Sequence, residues 1–223
     1  MVPRIGNLLG IFLKLFFNLL YNPFAWSYDL VAAIVSRGRW IEWTYATLLY
    51  INGKSILELG HGPGHLQLAM NQNSRQVFGL DYSRSMGRLA HRKLVHAGLP
   101  HRLVRSQAQD LPFSAGVFDQ IVSTFPSDYL FQPQTIAEIR RVLCPGGQLI
   151  VLPVAWIGRG SRIDRGLGNL FRVTHQAPER EDEQWKIRMD ELFQQAGFCV
   201  NTETVMLPSS EIILVVASLP KLL

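Results

Sequence analysis

Three glycines at alternate positions, Gly60, Gly62 and Gly64, follow a short apolar run at Ile56, Leu57 and Leu59. The run reads as a buried strand, and the segment after the glycines reads as a helix. Glycine accepts a positive φ and carries no Cβ, so such a turn bends sharply and lets a ligand approach the main chain. A glycine turn between strand and helix is where an α/β sheet holds a nucleotide-type ligand. The spacing is Gly-x-Gly-x-Gly, not the Gly-x-Gly-x-x-Gly of dinucleotide sites. Glu58 and His61 stand within the same stretch.

A second strand is expected over Gln76–Asp81, with the acid as its last residue. An acid about 20 residues beyond a glycine turn can accept both hydroxyls of a ribose. The other reading of Asp81 is as a cap for the helix that opens at Ser83-Arg-Ser-Met86.

At this point the chain resembles the class I S-adenosylmethionine-dependent methyltransferases, in particular the methyltransferase type 11-like group of small-molecule and lipid enzymes that includes quinone biosynthesis. The resemblance covers roughly residues 50–155 and extends weakly to the C-terminus. Glu58-Leu-Gly-His-Gly-Pro-Gly64 is similar to the family's first motif and Asp81 to its ribose-binding acid. Gln107-Ala-Gln-Asp-Leu-Pro-Phe113 resembles the segment that holds the adenine. Phe118–Thr124 resembles the fourth strand, and Glu138–Gly147 the helix and turn before the fifth.

The resemblance implies an α/β fold, a Rossmann-like seven-stranded methyltransferase sheet with helices on both faces. It implies S-adenosylmethionine as cofactor and S-adenosylhomocysteine as product. The cofactor residues it points to are Glu58, Gly60, His61, Gly62, Gly64, Asp81, Tyr82, Met86, Gln107, Ala108 and Thr124. Tyr28 loosely matches a lid residue ahead of the core. Family members usually carry an acid where this chain has Gln107; a glutamine carbonyl accepts the same hydrogen bond without charge. Asp110, in register with Leu111-Pro-Phe113, falls at a variable and exposed position.

In this fold the reactive methyl faces the ends of strands four and five, so Phe125, Pro126, Asp128 and Tyr129 are the neighbours of the acceptor. For an amine acceptor, Asp128 and Tyr129 orient its protonated form. A hydroxyl or carbon acceptor gains from a base, for which His61, His65 and His175 are candidates, although His61 also reads as a plain loop residue beside the cofactor.

With 223 residues and 48% hydrophobic content, the chain has room for one domain with a real core plus a small extension. Cys144 and Cys199 have no partner at metal-ligand spacing and read as buried or idle thiols in a reducing compartment. The 6 histidines are scattered, so no metal site is expected.

Residues 1–48 read as an N-terminal helical extension and 49–223 as the methyltransferase domain. From Leu8 to Leu20 the chain is almost wholly apolar, too short for the roughly 20 residues a bilayer span needs. On a helical wheel Arg4, Asn7, Lys14 and Asn18 fall in one narrow arc. That pattern suits a helix lying in the membrane interface through residues 4–21. A helix packed on the core or on a second copy of the chain, and a secretory signal, are the other readings. A second helix is expected from Phe24 to Val35. Trp26, Tyr28, Trp40 and Trp43 suit a headgroup layer, a substrate pocket or plain packing.

After the fifth strand, read as Gly147–Pro153, comes a basic insert at 156–180 with Arg159, Arg162, Arg165, Arg172 and Arg180. It lies at the carboxyl edge of the sheet, so Arg162, Arg165 and His175 are candidate substrate contacts, or else a solvated face. A helix over Gln184–Ala196, stopped by Gly197, and strands at Phe198–Met206 and Glu211–Ser218 with a turn at Ser209-Ser210 complete the fold.

The formal charge of +5 favours anionic partners. Nucleic acid is disfavoured, because Thr124-Phe-Pro-Ser127 stands where base-amine methyltransferases carry Asn/Asp-Pro-Pro-Tyr/Phe. The expectation is therefore methyl transfer to a lipid or hydrophobic acceptor, a phospholipid amine or a quinone precursor, on the cytoplasmic face of a membrane, with a homodimer possible. A soluble acceptor, with the helices as cap or dimer interface, and a cofactor-binding membrane scaffold are the alternatives.

Overall fold

Alternation of the apolar residues along the central strands divides the protein into two cores, one on each face of a sheet. In β1 (Ser55–Leu59), Leu57 and Leu59 face one side while Ile56 faces the other. In β4 (Phe118–Thr124), Ile121 and Val122 divide the same way. A strand covered on both faces needs apolar residues at both parities, which is why these segments read as continuous apolar runs. Each fully buried Leu or Ile contributes about 1.5–3 kcal/mol of transfer free energy.

The computed structural model describes residues 36, 38–72, 75–157 and 184–221. The helices expected before residue 36, including Tyr28, and the insert bearing Arg162, Arg165 and His175 lie outside the described residues.

The remaining strands are β2 (Gln76–Leu80), β3 (Arg102–Val104), β5 (Leu143–Ile157), β6 (Cys199–Leu207) and β7 (Ser210–Ser218). Their order is β3-β2-β1-β4-β5-β7-β6, with β7 antiparallel to both neighbours and the rest parallel. The expected seven-stranded sheet is present. β5 begins earlier and ends later than Gly147–Pro153, because β4 and β7 pair along it on both sides. The last hairpin turns at Pro208-Ser209, one residue before the expected Ser209-Ser210, and Ser210 already pairs with Leu207. The sequence pattern gives no sign of β3; three residues are too few for alternation to register.

Helices α1 (Trp40–Ala46), α2 (His65–Asn71) and α3 (Arg84–His96) lie on one face. α1 and α2 bury Trp43, Ala46, Leu66 and Met70 against Ile56, Val122 and Ile150. Helices α4 (Pro133–Val142) and α5 (Gln184–Gln195) cover the other, with Ile136, Ile139 and Phe193 against Leu57, Ile121 and Leu149. Trp43 donates its indole N–H to Ser210 Oγ at 2.8 Å, which fastens α1 to the start of β7. Among the described residues, no helix is long and apolar enough to cross a membrane.

Candidate active site

Strand order reverses between β1 and β4, and a crevice opens beyond the carboxyl ends of the strands at such a switch point. Among the described residues, those expected to be functional follow the carboxyl ends of these strands. The glycine turn leaves β1, Asp81 leaves β2, the Gln107–Phe113 segment follows β3, and Phe125 to Tyr129 leave β4.

All three glycines of the turn have positive φ: 72° at Gly60, 52° at Gly62 and 83° at Gly64. They do different work. A Cβ on Gly60 would stand 2.7 Å from the Tyr129 hydroxyl, and one on Gly64 would stand 2.7 Å from Ala90 Cβ and 2.9 Å from its Cα. Gly64 thus lets α3 close on α2. A Cβ on Gly62 would meet nothing within 4 Å, so the middle of the turn faces open space. That open cradle is where a ligand could lie against the main chain.

Asp81 joins the turn to the next loop. Its carboxylate accepts from the Gly62 N–H at 2.9 Å and from the Ser83 N–H at 2.7 Å. The capping of α3 itself falls to Ser83, whose Oγ accepts from Met86 N–H at 3.3 Å. The alternative reading of Asp81 as the helix cap is corrected: Ser83 caps the helix, and Asp81 orders the loop before it. Met86 is buried, and Tyr82 is exposed under the Arg105 guanidinium, 5.6 Å from its ring.

Glu58 is buried and accepts from Gln67 Nε2 at 2.8 Å. Burial pushes its carboxyl up to about 8, the Gln67 hydrogen bond opposes this, and the Asp81 charge adds to it. Glu58 is therefore protonated at neutral pH. His61 is also buried, and burial holds its imidazole below the usual value against the pull of Asp81. Its Nδ1 lies 2.8 Å from the Gly62 carbonyl; a carbonyl only accepts, so the ring carries its proton there. His61 thus belongs to the turn. His65 lies against Lys93 Nζ at 3.0 Å.

The Gln107–Phe113 segment is held by a device that sequence reasoning missed. Glu138 on α4 accepts from the Leu111 N–H at 2.8 Å, and Arg141 donates to the carbonyls of Phe113 at 2.7 Å and Leu111 at 2.8 Å. Arg141 also pairs with Glu138, at 2.6 Å, and holds its carboxyl below the usual range. The i, i+3 pair in the helix sequence signals an ion pair, but not its grip on a loop some 27 residues away. Ala108 is buried and Gln107 exposed. Asp110 is exposed, as expected.

On the acceptor side, Ser123 Oγ donates to the Leu59 carbonyl at 3.0 Å and lies 3.3 Å from the Tyr129 hydroxyl. Tyr129 also reaches Leu59 O at 3.3 Å, beneath the glycine turn. Asp128 heads a short 3-10 turn (Asp128–Phe131) and is exposed, while Thr124 and Pro126 are half-buried. Phe125 has φ 49°, an unusual strain for an aromatic residue. Its N–H donates to Leu152 O at 2.7 Å, and its ring stacks on Trp40 at 4.1 Å. Of the readings open for Trp40 and Trp43, Trp43 is core, and Trp40 is half-buried, stacked on Phe125 and packed against the same core.

The cofactor implied by the motifs fits these residues. The turn has an uncovered cradle at Gly62, an acid beside it, and a fixed loop opposite. Among the described residues, no cluster of His, Cys, Asp and Glu could hold a metal ion.

Residues 56–147 match the family model described as a methyltransferase domain. A demethylmenaquinone methyltransferase from Lactiplantibacillus plantarum is 30% identical over 205 residues, covering 80% of this chain and 86% of that protein. The namesake from Thermus thermophilus is 32% identical over 139 residues; the match takes in 60% of this chain and spans 63% of that relative's length. Among solved structures, an S-adenosylmethionine-dependent methyltransferase from Aquifex aeolicus superposes with a TM-score of 0.60 at 18% identity, over 84% of this chain and 98% of that one.

Proposed function

Because the chain belongs to the class I S-adenosylmethionine-dependent methyltransferases, we propose that it methylates a hydrophobic quinone precursor at a membrane surface. The observation that carries the acceptor is the half-buried, stacked pair of Trp40 and Phe125, just past the carboxyl end of β4. A flat aromatic ring gains from offset stacking on such a pair. The names of the relatives, demethylmenaquinone methyltransferase in Thermus and Lactiplantibacillus, support the same class.

S-adenosylmethionine supplies a methyl group already activated on a sulfonium, so displacement is in line and depends on alignment. Proximity and orientation can supply about 7–11 kcal/mol of such a barrier. Asp81 accepts the ribose hydroxyls, and Gly62 leaves room above the main chain. The Gln107 carbonyl accepts from the adenine amine, with Ala108 behind it. Glu58, His61, Gly60, Gly64, Tyr82, Met86 and Thr124 complete the cofactor side. Neutral Glu58 and neutral His61 leave Asp81 as the charge that faces the ligand.

Trp40, Phe125 and Pro126 hold the acceptor ring, and Asp128 and Tyr129 orient its hydroxyl. Residues 4–21 and the insert, with Arg162, Arg165 and His175, provide the membrane and substrate contacts, on the cytoplasmic face; Tyr28 closes over the cofactor.

The test uses S-adenosylmethionine labelled in the methyl group and vesicles that carry an isoprenoid naphthoquinol lacking its ring methyl. Label in the organic phase, abolished by Asp81→Ala, is the expected result. Label that passes only to water-soluble acceptors would overturn the acceptor class.

A further inference from the structure

Between α3 and the β3 edge lies a cleft of about 410 Å³ that the methyl-transfer reading does not use beyond its inner end. Its walls carry Arg84, Arg88 and Arg92 from α3, Arg105 from the loop after β3, and His91 at the side; the only carboxylate in its lining is Asp81. Arg84, Arg88 and Arg92 recur every four residues, so they share one helix face. Among the described residues none of the three meets a carboxylate or a hydrogen-bond acceptor. Arg105 is already oriented, its Nε donating to Tyr82 O at 3.0 Å. Asp81, at the inner end of the cleft, accepts from the Gly62 and Ser83 N–H groups and belongs to the cofactor side of the methyl-transfer reading.

Like charges at i, i+4 repel and destabilise a helix, and no described residue offsets them. The cofactor carries a sulfonium, a single carboxylate and ribose hydroxyls that the methyl-transfer reading assigns to Asp81, so it does not call for four guanidiniums. Arg88 and Arg92 also lie about 6 and 12 Å along α3 from Arg84, at 1.5 Å per residue, away from the ribose acid. Guanidinium forks match phosphate oxygens two at a time.

We propose that this cleft is a second binding site, for a phosphate group, on either a free phosphorylated compound or an anionic lipid headgroup. The site is independent of the methyl acceptor.

The experiment uses the full chain at low ionic strength, because exposed charge pairs are screened by salt. Inorganic pyrophosphate is titrated calorimetrically, and flotation is run with phosphatidylglycerol–phosphatidylcholine vesicles against phosphatidylcholine alone. The variant is Arg88→Gln with Arg92→Gln. The control, Lys54→Gln with Lys221→Gln, removes equal charge at exposed positions outside the cleft. The expected result is saturable binding of one probe or both, weakened about tenfold or more in the arginine variant and unchanged in the control. S-adenosylhomocysteine affinity, equal in all three proteins, reports an intact fold. Pyrophosphate binding assigns a soluble ligand; binding confined to anionic vesicles assigns a headgroup. Failure of both probes, binding that survives in the arginine variant, or an equal loss in the control overturns the site.

Discussion

The two sides of the crevice are built by different means. The side proposed for the cofactor is main chain: a glycine turn with three positive φ values, an acid that ties two backbone N–H groups, and a loop bolted by Glu138 and Arg141. The side proposed for the acceptor is side chain, from α1, the end of β4 and the 3-10 turn that follows. A backbone site tolerates little change and serves one ligand. A side-chain wall can be rebuilt for another acceptor without touching the donor, as folds that host many functions require.

The largest expected effect falls on the buried side. Glu58 has its carboxyl raised to about 8 from 4.5. Its folded form therefore holds a proton that the unfolded chain releases above about pH 4.5. Stability from this group is full below that pH, falls as pH rises towards 8, and is level beyond. At 1.36 kcal/mol per unit the loss is on the order of 5 kcal/mol. Glu58→Gln removes this slope, read by urea denaturation of both proteins at pH 5 and pH 8; parallel curves would separate Glu58 from the pH dependence.

Next comes Gly64→Ala. The new Cβ meets backbone and Cβ of Ala90 inside 3 Å, at φ 83°, and costs about 3 kcal/mol. Gly62→Ala meets no neighbour and costs about 1 kcal/mol in stability, but it fills the cradle and weakens S-adenosylhomocysteine binding. Equal denaturation midpoints for the two variants would contradict the division of labour within the turn.

Gly60→Ala and Tyr129→Phe join the two sides. The Tyr129 hydroxyl is the atom 2.7 Å from a Cβ at position 60, while the ring carbon behind it is at 3.7 Å. The double variant should be more stable than the sum of the singles by about 1 kcal/mol, a coupling that a double-mutant cycle measures. Phe125→Gly acts mainly on function. It relieves the φ of 49° but loses the Trp40 stack, the Trp43 ring contact and packing on the core, at a net cost of about 2 kcal/mol. The acceptor KM should rise severalfold while cofactor affinity holds.

The same asymmetry decides which parts of the site are legible in the sequence. Gly60, Gly62, Gly64 and Asp81 are legible because a strand, a positive φ and an acid at fixed spacing leave a local mark. The seven-stranded sheet is legible through the family resemblance, while the apolar runs of β1, β2, β4 and β5 mark individual strands. Phe125 is reached only through the position of β4, and its strained φ leaves no trace in residue type. The Trp40 stack and the Arg141 clasp on Leu111 and Phe113 are invisible in the sequence, because each joins residues far apart along the chain through side chains. β3 escapes because it is three residues long.

The most direct test of the two-sided site is calorimetric titration of S-adenosylhomocysteine into the wild type, Asp81→Asn and Phe125→Gly. The account predicts that Asp81→Asn binds at least about tenfold more weakly and that Phe125→Gly binds as the wild type does. Wild-type affinity in Asp81→Asn, or an equal loss in Phe125→Gly, would contradict it.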